Sequence, residues 1–252
     1  MDALIANAWI IYHSVVAAPY LVQPSIPILF FGDLEGYYRS PLRVITVGLN
    51  PSRVEFPDND RFLRFRQAQH VYPSILAGAG YDDYLSALTA YFRTAPYWGW
   101  FKCFEPILKG TDCSFRDRCA NTAIHTDICS PLATDPTWNC LSEAARQELE
   151  PAGCALWHQL VETLDPDVLV ISVAQRYLGQ INFPPVDEWR VIYTVERTRP
   201  FQVKARRFRL PTGKTTQVVF GRAAQTPFGT VSDADKFGIG AAIREQAAGT
   251  QR

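Results

Sequence analysis

The chain has 252 residues, with 25 Lys and Arg against 25 Asp and Glu. That length fits one domain, residues 1–252, with a core of ordinary size, and the balanced charge excludes a general polycation, so any nucleic-acid surface must be local. The apolar stretch over residues 9–31 is interrupted by His13, Pro19, Gln23, Pro24, Ser25 and Pro27, which excludes a membrane span or secretory signal and leaves the cytoplasm as the expected location.

Residues 3–18 predict an amphipathic helix, and the prolines at 19, 24 and 27 predict a loop before residues 28–31. Val44, Ile45 and Val47 form a nearly unbroken β-branched run, the pattern of a strand covered on both faces in a parallel sheet. Gly48 and Pro51 end it, and Pro51 forces Asn50 into an extended conformation at the carboxyl end of the strand, where open α/β sheets bind ligands. Read locally, Asn50 and Ser52 are equally the caps of an ordinary strand-to-helix turn. Residues 55–101 are rich in aromatics: Phe56, Phe62, Phe65, Tyr72, Tyr84, Tyr91, Phe92, Tyr97, Trp98, Trp100 and Phe101. Most of these are expected to pack the core and its loops.

Further on, residues 134–138 predict a turn and helix start with Pro136 at an early helical position. Residues 141–164 predict two helices broken near Pro151 and Gly153, and a buried strand follows at 168–173. The segment 197–214 holds Arg197, Arg199, Lys204, Arg206, Arg207, Arg209 and Lys214 with no acidic residue, and Pro211-Thr212-Gly213 supplies a turn. It predicts a basic β-hairpin, either a solvated face or a phosphate-binding one. A strand at 217–220 and a helix at 232–243 complete the chain. The succession β, α, β, α, β is that of an α/β fold with a parallel sheet covered by helices.

The six cysteines, Cys103, Cys113, Cys119, Cys129, Cys140 and Cys154, include no Cys-x-x-Cys pair and fit no cluster or zinc spacing. Free thiols are expected, with no metal and no cofactor; were a metal bound, Cys103, Cys113 and Cys119 would be the group to hold it. No segment marks an obligate protein partner.

Four segments in order carry a resemblance. The strand running into Gly48-Leu49-Asn50-Pro51-Ser52 is similar to the first motif of the uracil-DNA glycosylase superfamily, and residues 123–132, Ala-Ile-His-Thr-Asp-Ile-Cys-Ser-Pro-Leu, resemble its base-reading strand, with Asp127 where an Asn is usual. Residues 167–173 resemble its next buried strand, and residues 224–229, Ala-Gln-Thr-Pro-Phe-Gly, stand in the place of its His-Pro-Ser-Pro-Leu loop. The resemblance spans about residues 41–243 and implies a three-layer αβα sandwich with a central, mainly parallel four-stranded sheet, to which the basic hairpin is added. It also implies a DNA partner, double-stranded with one base flipped. By this resemblance Asn50 orients the attacking water, Gly48, Leu49, Ser52 and Asp127 line the base pocket, and Phe56 stacks on the base. Arg206, Arg207, Arg222 and Thr226 would hold DNA, Phe228 would be the wedge entering the minor groove, and Ser232 and Lys236 would hold phosphates at a helix start. The family's His is replaced by Ala224 or Gln225, depending on register; Gln225 can still donate a neutral hydrogen bond to the departing base.

Hydrolysis of an N-glycosidic bond needs a positioned water, electrostatic support for a sugar cation and a departing base anion, and a pocket outside the base stack. Glu55 is a candidate helper, although a solvated loop carboxylate is the plainer reading. An ionised Asp127 can only accept a hydrogen bond, so it pairs with an exocyclic amine, as on cytosine; a protonated Asp127 could instead donate to the leaving base. Ser52 stands where uracil-specific members carry a bulky Tyr, which leaves room for a substituent at C5. These residues together suggest a pocket for a cytosine carrying a C5 substituent, and the resemblance to a superfamily branch that removes glucosylated hydroxymethylcytosine from phage DNA implies a glycosylase for hydroxymethylcytosine or its glucosylated form, acting in anti-phage defence. A uracil or mismatch-repair glycosylase and a non-catalytic DNA binder on the same scaffold are the alternatives.

Overall fold

The computed structural model describes residues 1–70, 80–116 and 119–250; Tyr72, expected among the core aromatics, lies outside them. In chain order the helices and strands are α1 (Asp2–Ser14), α2 (Leu34–Arg39), β1 (Val44–Gly48), α3 (Tyr81–Thr89), α4 (Trp98–Phe101), α5 (Glu105–Gly110), β2 (Cys113–Ser114), β3 (Asn121–Thr122), β4 (Ile124–Asp127), α6 (Glu143–Leu164), β5 (Val168–Ile171), β6 (Arg190–Val195), β7 (Phe201–Arg209), β8 (Thr215–Phe220) and α7 (Asp233–Thr250). The fold is α/β, with helices flanking a six-stranded, mostly parallel sheet of order β4-β1-β5-β8-β7-β6.

Every residue of β1, β4 and β5 is buried, as expected for strands covered on both faces. β1 pairs parallel with β5 from Val44↔Val168 to Val47↔Ile171, and β5 pairs parallel with β8 from Val168↔Gln217 to Ile171↔Phe220. β7 runs antiparallel to both β8 and β6. The basic hairpin is therefore no appendage to a four-stranded sheet: its two strands belong to the central sheet, and β6 extends them. Val203 and Ala205 are buried along β7 with exposed Lys204 between them, the strand's period of two, whereas Arg206 and Arg207 are both half-buried and Phe208 is buried, so the alternation breaks after Ala205.

Three local expectations are corrected. The first helix stops at Ser14 rather than running to 18. Residues 134–138 start no α-helix: a cis Asp135–Pro136 bond is followed by a single 3-10 turn over Trp138–Cys140. Residues 143–164 form one 22-residue helix with Pro151 inside it, not two. Leu149 before Pro151, and Leu156, Trp157, Leu160, Val161 and Leu164 after it, are all buried. Packing on both sides of the proline outweighs the hydrogen bond that it removes.

The chain packs as two compact units. The first comprises Met1–Asp33, Gly48–Tyr97 and His125–Thr163; the second comprises Leu34–Val47, Trp98–Ile124 and Leu164–Arg252. In the first, a buried stack of rings forms the centre: Phe56 lies on Phe65, Phe65 on Tyr91, and Phe31 meets Tyr91 edge-on and also touches His125. In the second, α5 and α7 cross in backbone contact at two glycines. A Cβ on Gly110 would overlap the Phe237 carbonyl, and one on Gly240 would overlap the Ile107 carbonyl. No described helix is long and apolar enough to cross a membrane.

Candidate active site

The motif after β1 and the segment after β4 lie side by side in the first unit. The Ile128 N–H donates to the Gly48 carbonyl at 3.1 Å and the Cys129 N–H to the Leu49 carbonyl at 2.9 Å. Gly48 is required by this approach: a Cβ there would overlap Asp127 Oδ1 and stand 3.1 Å from His125 Nε2.

Asn50 is half-buried, and its amide nitrogen donates to the Pro51 carbonyl at 2.8 Å, the Thr134 hydroxyl at 2.9 Å and the Leu132 carbonyl at 3.1 Å. Three acceptors around one –NH2 decide which way the amide faces. Its Oδ1, an acceptor, is turned from that cluster and meets no donor among the described residues. An oxygen so held can accept a hydrogen bond from a water and orient its lone pairs. Ser52 is half-buried, and its hydroxyl accepts from the Val54 N–H, so it caps the 3-10 turn Arg53–Glu55.

Asp127 is 8% exposed and its Oδ1 lies 3.5 Å from His125 Nε2, itself 2% exposed. His125 is two residues before Asp127 on the same strand, and side chains at that spacing share a face. The spacing is legible in the sequence, although nothing there marks His125 as a partner of Asp127.

Glu55 is not a solvated loop carboxylate. It is buried, its Oε2 accepts from the Tyr91 hydroxyl at 2.6 Å, and Arg64 Nε lies 3.7 Å away. Burial pushes its carboxyl up to about 7; the Tyr91 hydrogen bond and the Arg64 charge work the other way, and the negative charge of Asp127 adds to the rise. A carboxyl near 7 can take up and release a proton at neutral pH. Tyr91 also accepts from the Tyr97 N–H at 2.9 Å, which fixes its hydroxyl hydrogen towards Glu55. Nothing in the sequence linked Tyr91 to Glu55, 36 positions apart.

Several expected positions are corrected. Phe56 has no exposed surface: its ring is stacked on Phe65 with Phe62 at its edge, so no face is free for a base. Phe228 is also fully buried, packed against Phe104, Phe201 and Gly221, and cannot act as a protruding wedge in this conformation. The Ser232 hydroxyl is occupied as a helix cap, accepting from the Asp235 N–H and donating to the Asp235 carboxylate at 2.6 Å. Lys236 is buried and faces Asp233 at 3.6 Å, so this helix start presents carboxylates rather than a phosphate cradle.

The basic hairpin divides in two. Arg207 forms a 2.8 Å ion pair with Asp187, and Arg206 donates to the Asp187 carbonyl at 2.7 Å and faces Glu188 at 3.7 Å. Burial raises the Asp187 carboxyl, but hydrogen bonds and charge from Arg207, with Arg190 beyond, hold it below its ordinary value. Lys214 is taken by Asp167 at 2.7 Å and Asp165 at 3.5 Å. Arg206 and Arg207 are thus committed inside the protein. Arg199, Lys204 and Arg222 are exposed and have no acidic partner among the described residues. With Arg197, Trp189 and Phe220 they line an open cleft of about 690 Å3 in the second unit. Arg197 is tethered there, donating to the Thr230 and Arg199 carbonyls at 2.9 and 3.0 Å. Gln225 is exposed and Thr226 half-buried in the turn that follows, and Ala224 lines the same cleft.

Among the described residues, the cysteines brought together with another potential metal ligand are Cys129 and Cys154, beside Glu150, and not the group Cys103, Cys113 and Cys119. Compared with known proteins, the chain matches no protein-family model and no curated sequence.

Proposed function

We propose that the protein is a DNA glycosylase of uracil-DNA glycosylase-like architecture, a three-layer αβα sandwich in which β4, β1, β5 and β8 form the core sheet. Its substrate is a flipped cytosine modified at C5. The observation that carries this reading is the Asn50 amide, its nitrogen held by three acceptors and its oxygen left without a donor among the described residues, two residues beyond Gly48, whose lack of a Cβ leaves room for Asp127 Oδ1.

In this mechanism Asn50 Oδ1 orients the attacking water, and Glu55, poised near neutral by burial, takes up the proton that the water loses. The base is read at Asp127, whose carboxylate accepts from an exocyclic amine. The neighbouring imidazole of His125 gives that site a second group able to hold a proton, which suits a base that leaves poorly without one. Half-buried Ser52 leaves space for a C5 substituent, hydroxymethyl or its glucosylated form, and removal of such bases is a reaction suited to defence against phage. Phosphates are met by Arg199, Lys204 and Arg222 rather than by the paired Arg206 and Arg207.

The burial of Phe228 favours a second reading, a DNA binder on this scaffold that flips no base. Duplexes carrying uracil, cytosine, hydroxymethylcytosine or glucosylated hydroxymethylcytosine, treated with excess protein and then alkali, separate the two. Strand cleavage at a modified cytosine is expected; salt-sensitive binding with no cleavage of any duplex would favour the binder.

A further inference from the structure

We propose that Cys129, Glu150 and Cys154 form a site for one soft divalent cation, zinc being the metal that suits the donors, held by two thiolates and a carboxylate. One ligand atom from each residue lies within 4.8 Å of the other two, and Cys129 Sγ is 4.0 Å from Glu150 Oε1. Zinc bonds of about 2.3 Å to sulfur and about 2.0–2.2 Å to oxygen, set tetrahedrally, place ligand atoms roughly 3.5–3.8 Å apart.

The fold builds this convergence. Glu150 and Cys154 are four apart on α6 and so share a helix face. Cys129 comes from the segment after β4, and Gly153 permits the approach, since a Cβ there would overlap the Cys129 carbonyl. Cys129 is fully buried, Cys154 nearly so, and Glu150 half-buried. Two sheltered thiols beside a carboxylate that reaches water make a three-ligand site whose fourth position a water can fill. Loading replaces both thiol protons: Zn2+ enters, two H+ leave to solvent, and the complex carries one net negative charge. Affinity therefore rises with pH. Cys129 is two residues beyond Asp127 and its N–H holds the Leu49 carbonyl, so the metal would brace the strand ends that carry Asn50 and Asp127.

The test is native mass spectrometry of the untagged full chain after equilibration with zinc chloride, paired with the absorption spectrum of the cobalt-loaded protein. One zinc per chain and a thiolate-to-cobalt charge-transfer band are expected, with C154S and E150Q each weakening zinc binding by about tenfold or more. E150Q keeps both thiols and alters a half-buried position, so it remains informative if a cysteine variant fails to fold. No zinc adduct in the reduced wild-type chain, or a cobalt band unchanged in C154S, would overturn the site. So would a Cys129–Cys154 disulfide that, once reduced, still gives a chain taking up no metal. None of these readouts depends on glycosylase activity.

Discussion

At the scale of single residues, Asn50 gives the sharpest expectation. An Asp is the stronger water activator in principle, yet Asn50→Asp would set a carboxylate oxygen against the Pro51 and Leu132 carbonyls where the amide now donates. Unmade hydrogen bonds of this kind cost about 1–3 kcal/mol. N50D is therefore expected to be less stable and slower than wild type, and N50A to lose about 10²- to 10⁴-fold in single-turnover rate; a faster N50D would show that the amide is not held as described. Glu55 supplies a pH prediction. Its carboxyl is raised by burial from 4.5 to about 7, so between these values the folded chain holds a proton that the unfolded chain has lost. The contribution to stability is complete below about pH 4.5 and lost as pH rises through about 7. Glu55→Gln removes that loss and is expected to raise stability at pH 8 by roughly 3 kcal/mol, while lowering activity. Denaturant unfolding of both proteins at pH 5 and pH 8 checks the first part; an E55Q that gains no stability at pH 8 relative to pH 5 contradicts it.

At the scale of elements, the basic hairpin shows what a sequence can and cannot disclose. Its turn at Pro211-Thr212-Gly213 and its run of cations were legible, because turn chemistry and local charge are properties of neighbours in sequence. Which cations are spent was not legible, since Asp187 and Glu188 reach Arg206 and Arg207 by pairing across some 20 positions. The same holds for the loop after β8: the Phe228 ring is buried against Gly221, seven positions earlier, a contact that no local signal announces. Two predictions follow from these contacts. Arg199→Ala with Arg222→Ala should cut the salt slope of DNA binding by about 2, at roughly 0.9 per phosphate contact, whereas R206A and R207A should cost stability and leave the slope nearly unchanged. Fluorescence anisotropy over a salt series reads both, and equal effects from the two pairs would refute the division of the hairpin. Separately, Gly240→Ala would drive a methyl into the Ile107 carbonyl and is expected to cost about 1–3 kcal/mol, seen as a lower denaturant midpoint; an unchanged midpoint would mean that α5 and α7 can separate freely.

At the scale of the whole molecule, the strands β1, β5 and β8 were readable as apolar runs between breakers, because buried parallel strands are rich in β-branched residues. The number of strands was not: β6 is rich in β-branched residues, but it is half-exposed and joins the sheet at its edge by pairing with β7, which no local signal announces. The candidate site was half legible. Gly48, Asn50 and Asp127 stand on strand ends that the motifs mark, while Glu55 and His125 acquire their roles only through burial beside Tyr91 and Asp127. In the proposed reaction, Asn50 and Asp127 serve hydrolysis of the bond between a C5-modified cytosine and its sugar. The most direct test is mass spectrometry of the free base released from duplex DNA containing hydroxymethylcytosine or its glucosylated form. Stoichiometric release of the intact modified base by wild-type protein and none by N50A or D127A is expected; no free base under excess wild-type protein, or equal release by N50A, would contradict the proposed chemistry.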